Sequence, residues 1–377
     1  MTIGTEHEFS VNDADFHPLS AVDRILEDLG GELQNEISFG PVHLSKELQK
    51  HVIEFTPAVP AKDLESLEAA LFSGLKGFNA RTENRYKLLG GGMHPTLKLE
   101  EAKVWDHEDK ELYEVYDCLF DIRQHGWLNI QALQINLPYD SEDEMVRKYN
   151  RLRALIPYLV AISASSPFVE GKLNGTMDNR LVYYRENQRQ LPIIAHGVVP
   201  EKLKNAAHHK QIQEEMFSEL RKHGGEKLCH EWVDSRGVIV RFSRCCVELK
   251  AIDEQECLRA DMAVTAFVLA LLRCDLDLAD DDDDLRELTE KAIVGGVAPL
   301  RSELQKLFRL ALAKARSDER RYLPLIATKI ENGSLAETLA EEAHGGAHIF
   351  DIMNRMETAL RSNVPYQCGA CKRQMPY

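Results

Sequence analysis

No stretch of this chain approaches the ~18 consecutive apolar residues that a helix needs to cross a bilayer. The opening MTIGTEHEFS also lacks the basic-then-apolar order of a secretory leader, so the expected compartment is the cytoplasm and no membrane partner is expected. Basic residues are in short supply: 46 Lys and Arg stand against 61 Asp and Glu, a net charge of −15. Phosphate contacts along a nucleic acid need clustered bases, so general nucleic-acid binding is excluded. A phosphate-bearing small molecule held through metal ions is not. Tandem repeats are absent, and the only low-complexity tract is Asp280 to Asp284. That run lacks the spaced carboxylates and turn glycine of a calcium loop and reads as a solvated loop.

What the chain does contain suits a sizeable core: 377 residues, 44% hydrophobic and 28% charged. The pattern changes near residue 255. Before it, strand-like and helical segments alternate; after it, nearly everything has helical spacing. With no Pro/Gly/Ser-rich linker between the parts, one α+β domain over 1–377 is expected, with a sheet-bearing part (1–255) and a helical layer (256–377). Helices are predicted over 61–85, 141–164, 254–275, 298–317 and 347–361. Ser141 with Glu144, and Ser334 with Glu337, have capping-box spacing. The eight cysteines (118, 229, 245, 246, 257, 274, 368 and 371) read as reduced thiols. Cys368 and Cys371 have the Cys-x-x-Cys form of half a zinc site or a redox pair. With His344 and His348 off any finger spacing, two plain thiols in a terminal tail are the expectation.

Four short segments carry a chemical face. Side chains alternate across a strand, so residues two apart point the same way. In Gly4–Phe9, Glu6 and Glu8 share a face. In His51–Pro57, Glu54 and Thr56 oppose Ile53 and Phe55. In Leu133–Pro138, Gln134 and Asn136 oppose three aliphatics. In Arg244–Ala251, Cys246, Glu248 and Lys250 oppose Val247, Leu249 and Ala251. Any one of these is explained by a half-buried antiparallel strand with one wet face. Together they concentrate Glu, Gln and Asn with few bases. Two carboxylates about 4 Å apart repel by roughly 4 kcal/mol at an effective dielectric near 20. If the faces converge, cations are required, and hard oxygen ligands suit magnesium or manganese. Magnesium in turn suggests a nucleotide phosphate as the shared ligand.

At these residues the chain resembles the glutamate–cysteine ligase family, in the branch with the plant-type enzymes and the bacterial carboxylate–amine ligases. Ile3-Gly4-Thr5-Glu6-His7-Glu8-Phe9 is similar to its Gly-x-Glu-x-Glu strand. Lys46-Glu47-Leu48 followed by Val52-Ile53-Glu54-Phe55-Thr56 is similar to its second acidic pair. Gly92-Met93-His94-Pro95 matches a Gly-x-His-Pro turn, and Leu133-Gln134-Ile135-Asn136-Leu137 a Gln-Val-Asn-Leu segment. Ala164–Gly175 resembles a small-Ser-Pro-Phe segment, and Val247–Asp253 the final Glu-Leu-Arg strand. After 255 the likeness is loose. The departures are Gln134-Ile135-Asn136, where many members have His-x-His, and Lys250, where Arg is usual; Lys cannot reproduce Arg's bidentate grip.

The resemblance implies a glutamine-synthetase-like fold, a curved antiparallel sheet forming a funnel with helices outside. It implies ATP with magnesium or manganese as cofactors, and Glu6, Glu8, Glu47, Glu54 and Glu248 as metal ligands. Glu47 and Glu54 are an odd number apart, so a turn or bulge must return both to one face. Glu248, Lys250 and Arg241 are the implied catalytic set. His94, Gln134, Asn136, Arg180, Arg185 and Arg244 are candidate substrate contacts, although a turn histidine that only caps backbone groups is equally open for His94. The implied reaction joins a carboxylate, by default that of glutamate, to cysteine or another amine through an acyl phosphate. Partners would then be small amino acids or amines, with a homo-oligomer left open. Two other readings stand beside it: a guanidino-kinase-like phosphotransferase, which would stop at phosphoryl transfer, and a non-catalytic nucleotide- or metal-binding homologue.

Overall fold

The computed structural model describes residues 2–368, so Cys371 and its pairing with Cys368 lie outside the described residues. Among the described residues there are ten strands: β1 (Gly4–Asn12), β2 (Glu36–Phe39), β3 (Val42–Lys46), β4 (Val52–Pro57), β5 (Lys87–Leu89), β6 (Ala132–Pro138), β7 (Phe168–Val169), β8 (Lys172–Leu173), β9 (Val238–Arg241) and β10 (Cys246–Asp253). β7 and β8 form a separate hairpin. The rest make one sheet in the order β2-β3-β4-β1-β6-β10-β9, with β5 on the far end of β1. Every pairing is antiparallel. The strands carrying the acidic motifs are therefore neighbours at its centre, although they lie far apart in sequence.

The aliphatic face of each strand sets the core. Leu133, Ile135, Leu137, Val247 and Leu249 are fully buried against helices on one side. Each such side chain stabilises by about 1.5–3 kcal/mol relative to exposure. The helix Leu64–Arg81 is started by Asp63, whose carboxylate accepts the Ser66 N–H. Ser141 starts Glu142–Ser163 in the same way through Glu144 N–H. Only half of that predicted capping box forms, because the Glu144 carboxylate accepts from Asp140 N–H, one residue upstream. At Ser334 and Glu337 the box is complete. The helix Leu258–Leu271 is buried almost all round, packed against Leu64–Arg81, Arg301–Lys314 and Leu323–Asn332.

The acidic run is a correction. It is not a loop: Asp282–Gly295 is a helix, and Asp281 accepts the Asp283 and Asp284 N–H groups at 2.9 and 3.3 Å. Carboxylates stacked in a first turn complement the helix dipole. Asp280 and Asp282 also neutralise the buried Arg153. Among the described residues no helix is long and apolar enough to cross a membrane, and Cys118, Cys229, Cys245, Cys246, Cys257 and Cys274 are free thiols.

Two features shape the polar face. A bulge on β10 sets two residues, Lys250 and Ala251, against one, Gln134, on β6. Lys250 and Ala251 N–H both donate to the Gly237 carbonyl there. A second apolar cluster, with Tyr116, Phe120, Leu128, Met216 and Val233, gathers the segments between residues 97 and 233. These segments border the polar face: Tyr113 meets Lys46, Glu231 accepts from Ser243, and the Asp234 carbonyl faces Lys250 at 3.5 Å.

Candidate active site

Strand register brings the carboxylates together. Glu8 pairs across strands with Glu54, and Glu54 with Ser45; Glu6 pairs with Gln134, and Asn136 with Glu248. All belong to the face opposite the aliphatic core. Glu47 sits one residue beyond the end of β3, where the chain turns back into β4. One carboxylate oxygen from each of Glu8, Glu47 and Glu54 lies within 4.8 Å of the other two. The chain reversal that their odd spacing demands is therefore this β3–β4 turn.

Amide and hydroxyl donors hold the acids in place. Gln134 Nε2 donates to Glu8 at 2.9 Å, and Ala132 N–H donates to its other oxygen at 2.8 Å. Asn136 Nδ2 and Arg244 donate to the same Glu6 oxygen at 3.0 and 2.8 Å. Ser45 Oγ donates to Glu54 at 2.7 Å. Gln134 and Asn136 thus act first on Glu8 and Glu6, orienting them. Arg241 donates to Glu248 Oε2 at 2.7 Å, leaving Glu248 Oε1 buried without a hydrogen-bond partner and Lys250 Nζ 3.9 Å from it.

Electrostatics follow from this crowding. Burial, and then the charge of Glu47, push the Glu8 carboxyl up to about 8. Burial, then Glu6 and Glu47, hold Glu54 well above the ordinary range. Glu47 and Glu248 are raised as well, burial first. Burial opposes the charged form of Lys250, but Tyr184 and Glu248 outweigh it and keep the amine a cation. Three converging carboxylates, with a fourth at Glu248 whose Oε1 accepts no hydrogen bond among the described residues, form an oxygen-only donor set for a hard divalent cation. Magnesium fits it better than a transition metal, since no sulfur or imidazole joins the set.

The Ser-Pro-Phe segment acts at a distance. Ser165 N–H and Ser166 Oγ donate to Asp253 at 2.9 and 2.8 Å, and Arg180 Nε donates to its other oxygen at 2.6 Å. The buried guanidinium is thereby fixed beside the Lys250 carbonyl, close enough to offset part of the burial-driven rise at Glu8. Gly92 is obligatory in this clamp, because a Cβ there would stand 2.2 Å from Asp253 Cγ.

The other predicted residues lie elsewhere. Of the two roles open to His94, capping is the one its contacts show. It is fully buried, with Nε2 2.8 Å from Asn12 Oδ1 and Nδ1 accepting Thr96 and Leu97 N–H. Burial lowers its pKa to about 4, so it is a neutral brace of the turn. Arg185 pairs with Glu290 and is not brought to the carboxylates. Residues that sequence reasoning missed include Ser45, Asp253 and the Ala132 amide. Asp253 ends a quoted motif, but its strand parity is reset by the bulge, and nothing in the alternation assigned it a partner.

The family model described as "Glutamate-cysteine ligase family 2" matches residues 2–349. An uncharacterised protein of Archaeoglobus fulgidus is 45% identical over 337 residues, 89% of this chain and 92% of that one. The glutamate–cysteine ligase of Haloferax volcanii is 29% identical over 177 residues, 45% of either chain, so the alignment spans about half of this named relative. The fold is that of the Francisella tularensis glutamate–cysteine ligase solved in complex with AMP, with a TM-score of 0.69 at 12% identity over 98% of this chain and 90% of that one. On the family match along nearly its whole length, the chain belongs to glutamate–cysteine ligase family 2, and with it to the ATP-dependent carbon–nitrogen ligases.

Proposed function

We propose that this ligase joins the carboxylate of an amino acid, glutamate by the family default, to the amine of cysteine or another small amine. ATP would be consumed to ADP and phosphate. The donor carboxylate would attack the γ-phosphorus, releasing ADP and giving an acyl phosphate; the amine would then displace phosphate and form the amide. The observation that carries this reading is the convergence of Glu8, Glu47 and Glu54, beside Glu6 and the orphaned Glu248 Oε1.

Magnesium or manganese held by Glu6, Glu8, Glu47, Glu54 and Glu248 would supply charge neutralisation to the polyphosphate. The chain's own residues do the rest. Gln134, Asn136 and Ser45 keep the carboxylates aimed. Arg241, Arg244 and Lys250 are the cations placed to meet the transferred phosphoryl group or a substrate carboxylate. They stand at the β9–β10 hairpin and the bulge, within reach of the acidic face. Arg180 adds a fixed positive charge from behind. The partly exposed Arg244, ion-paired to Glu6, is placed to exchange that carboxylate for a substrate's.

The deciding experiment is a screen of amino-acid and amine pairs with ATP and magnesium. ADP release is followed in parallel with mass spectrometry of the products. The expected outcome is free phosphate with a new amide in equal amounts. A stable phosphorylated substrate without amide would establish the phosphotransferase instead, and no ADP with any pair would favour a binding homologue.

A further inference from the structure

Behind β1, on the side away from the acidic face, a second cluster is built from residues the proposed chemistry does not use. His7 lies between Glu6 and Glu8 in sequence and so points the opposite way, into the core. There it meets Glu254 at the end of β10 and Asp261 in the first turn of Leu258–Leu271. All three are fully buried. His7 Nδ1 is 3.3 Å from Glu254 Oε1 and 3.4 Å from Asp261 Oδ2, and the three atoms lie within 4.8 Å of one another.

We propose that His7, Glu254 and Asp261 supply three ligands of a buried structural site for one divalent transition-metal ion of the zinc class. Four observations carry this. The separations are long for charge-assisted hydrogen bonds, which sit at about 2.7–2.9 Å. They equal the edge of a tetrahedron, about 3.3–3.4 Å, around a metal with ~2.0–2.1 Å bonds to nitrogen and oxygen. Second, Asp261 Oδ2 is a fully buried oxygen that faces His7 Nδ1 and the Glu254 carboxyl and accepts no other hydrogen bond among the described residues. Third, the remaining atoms are engaged as ligand supports require: His7 Nε2 is 2.8 Å from Thr5 Oγ1, Glu254 Oε2 accepts Glu8 N–H at 3.3 Å, and Asp261 Oδ1 accepts Gln255 N–H at 3.1 Å. Fourth, two carboxylates beside an imidazole supply the two negative charges that would balance a dication in a dry core.

Such an ion would tie β10 and the helix Leu258–Leu271 to the back of β1. Glu254 holds the backbone of Glu8, so the site would fix the strand that presents Glu6 and Glu8. Unlike the oxygen-only acidic face, it offers imidazole, which separates the two metals by chemistry.

The test is elemental analysis of the full-length protein, purified from medium supplied with zinc, manganese, iron and cobalt and dialysed against chelator. About one transition-metal ion per chain is expected to remain. Asp261→Asn and His7→Gln should each lose it at least tenfold, while Glu6→Gln should keep it. Less than about a tenth of an ion per chain in the wild type, before dialysis and after refolding with zinc, would overturn the proposal in favour of a proton-sharing triad. So would retention in both core variants, or loss in Glu6→Gln. If the core variants do not fold, wild-type protein carrying cobalt decides: intense visible bands of four-coordinate cobalt support the site, and their absence overturns it.

Discussion

Glu8 and Glu54 stand directly opposite one another on β1 and β4, both on the polar face, with a Glu47 oxygen within 4.8 Å of each. Like charges at a directly opposed pair destabilise a sheet. A chain that places three carboxylates there carries a local cost in stability, which a cation held between them would offset.

Glu54→Gln tests that cost. It keeps the Ser45 hydrogen bond and the volume while removing one charge. The metal-free protein should gain on the order of 1 kcal/mol, a few degrees in Tm, while ADP formation is lost. Scanning calorimetry with chelator present, paired with the ADP assay, reads both; a lower Tm would show that the carboxylates do not repel as placed.

Glu248→Gln should behave oppositely in stability. Glu248 is the partner of Arg241 at 2.7 Å, so the substitution leaves a mostly buried guanidinium with the more distant Glu231 carboxylate, 4.0 Å away, as its remaining counter-charge. A loss of roughly 1–3 kcal/mol is expected in denaturant titration, together with loss of turnover. Equal midpoints for the variant and the wild type would mean that solvent already screens this pair.

The pH dependence has an unusual sign. For Glu8 the folded value of about 8 lies above the ordinary carboxylate value near 4.5. Between those limits the native state holds a proton that the unfolded chain has released, so unfolding free energy falls as pH rises across the window. Metal-free protein should therefore be more stable near pH 5 than near pH 8 on account of this group. Saturating magnesium should flatten or reverse that slope, because it competes with the proton. A slope identical with and without magnesium would remove the metal from this site.

Asp253→Asn isolates the clamp behind the site. It should strand the buried Arg180 and cost about 3–5 kcal/mol, the scale for breaking a buried ion pair by removing one partner. Denaturant titration checks this, and a cost below about 1 kcal/mol would mean that the Ser165 and Ser166 donors dominate.

Lys250→Met should lower turnover by about two orders of magnitude or more if the amine meets phosphoryl or carboxylate oxygens, and Lys250→Arg should be partly active. Steady-state rates at saturating ATP settle it. Near-normal turnover in the methionine variant would reduce Lys250 to a brace of the bulge.

The sequence by itself determined the local terms. Period-two alternation marked β1, β4, β6 and β10 and separated their aliphatic faces from Glu6, Glu8, Glu54, Gln134, Asn136 and Glu248. Asp63, Ser141 and Ser334 started helices where a side-chain oxygen can accept an N–H two or three residues on, which is a property of neighbours in sequence. What only the tertiary structure decided depends on which distant strands become neighbours. Pairing β1 between β4 and β6 set Glu8 against Glu54 and Glu6 against Gln134, a register no single strand contains. The β10 bulge turned Asp253 toward Arg180, because one extra residue resets the alternation beyond it. His94 matched the family turn as well as any site residue, but burial against Asn12 consumed its ring nitrogens. The same packing drew the Asp run into a helix, since the buried Arg153 needed counter-charge at that helix's start.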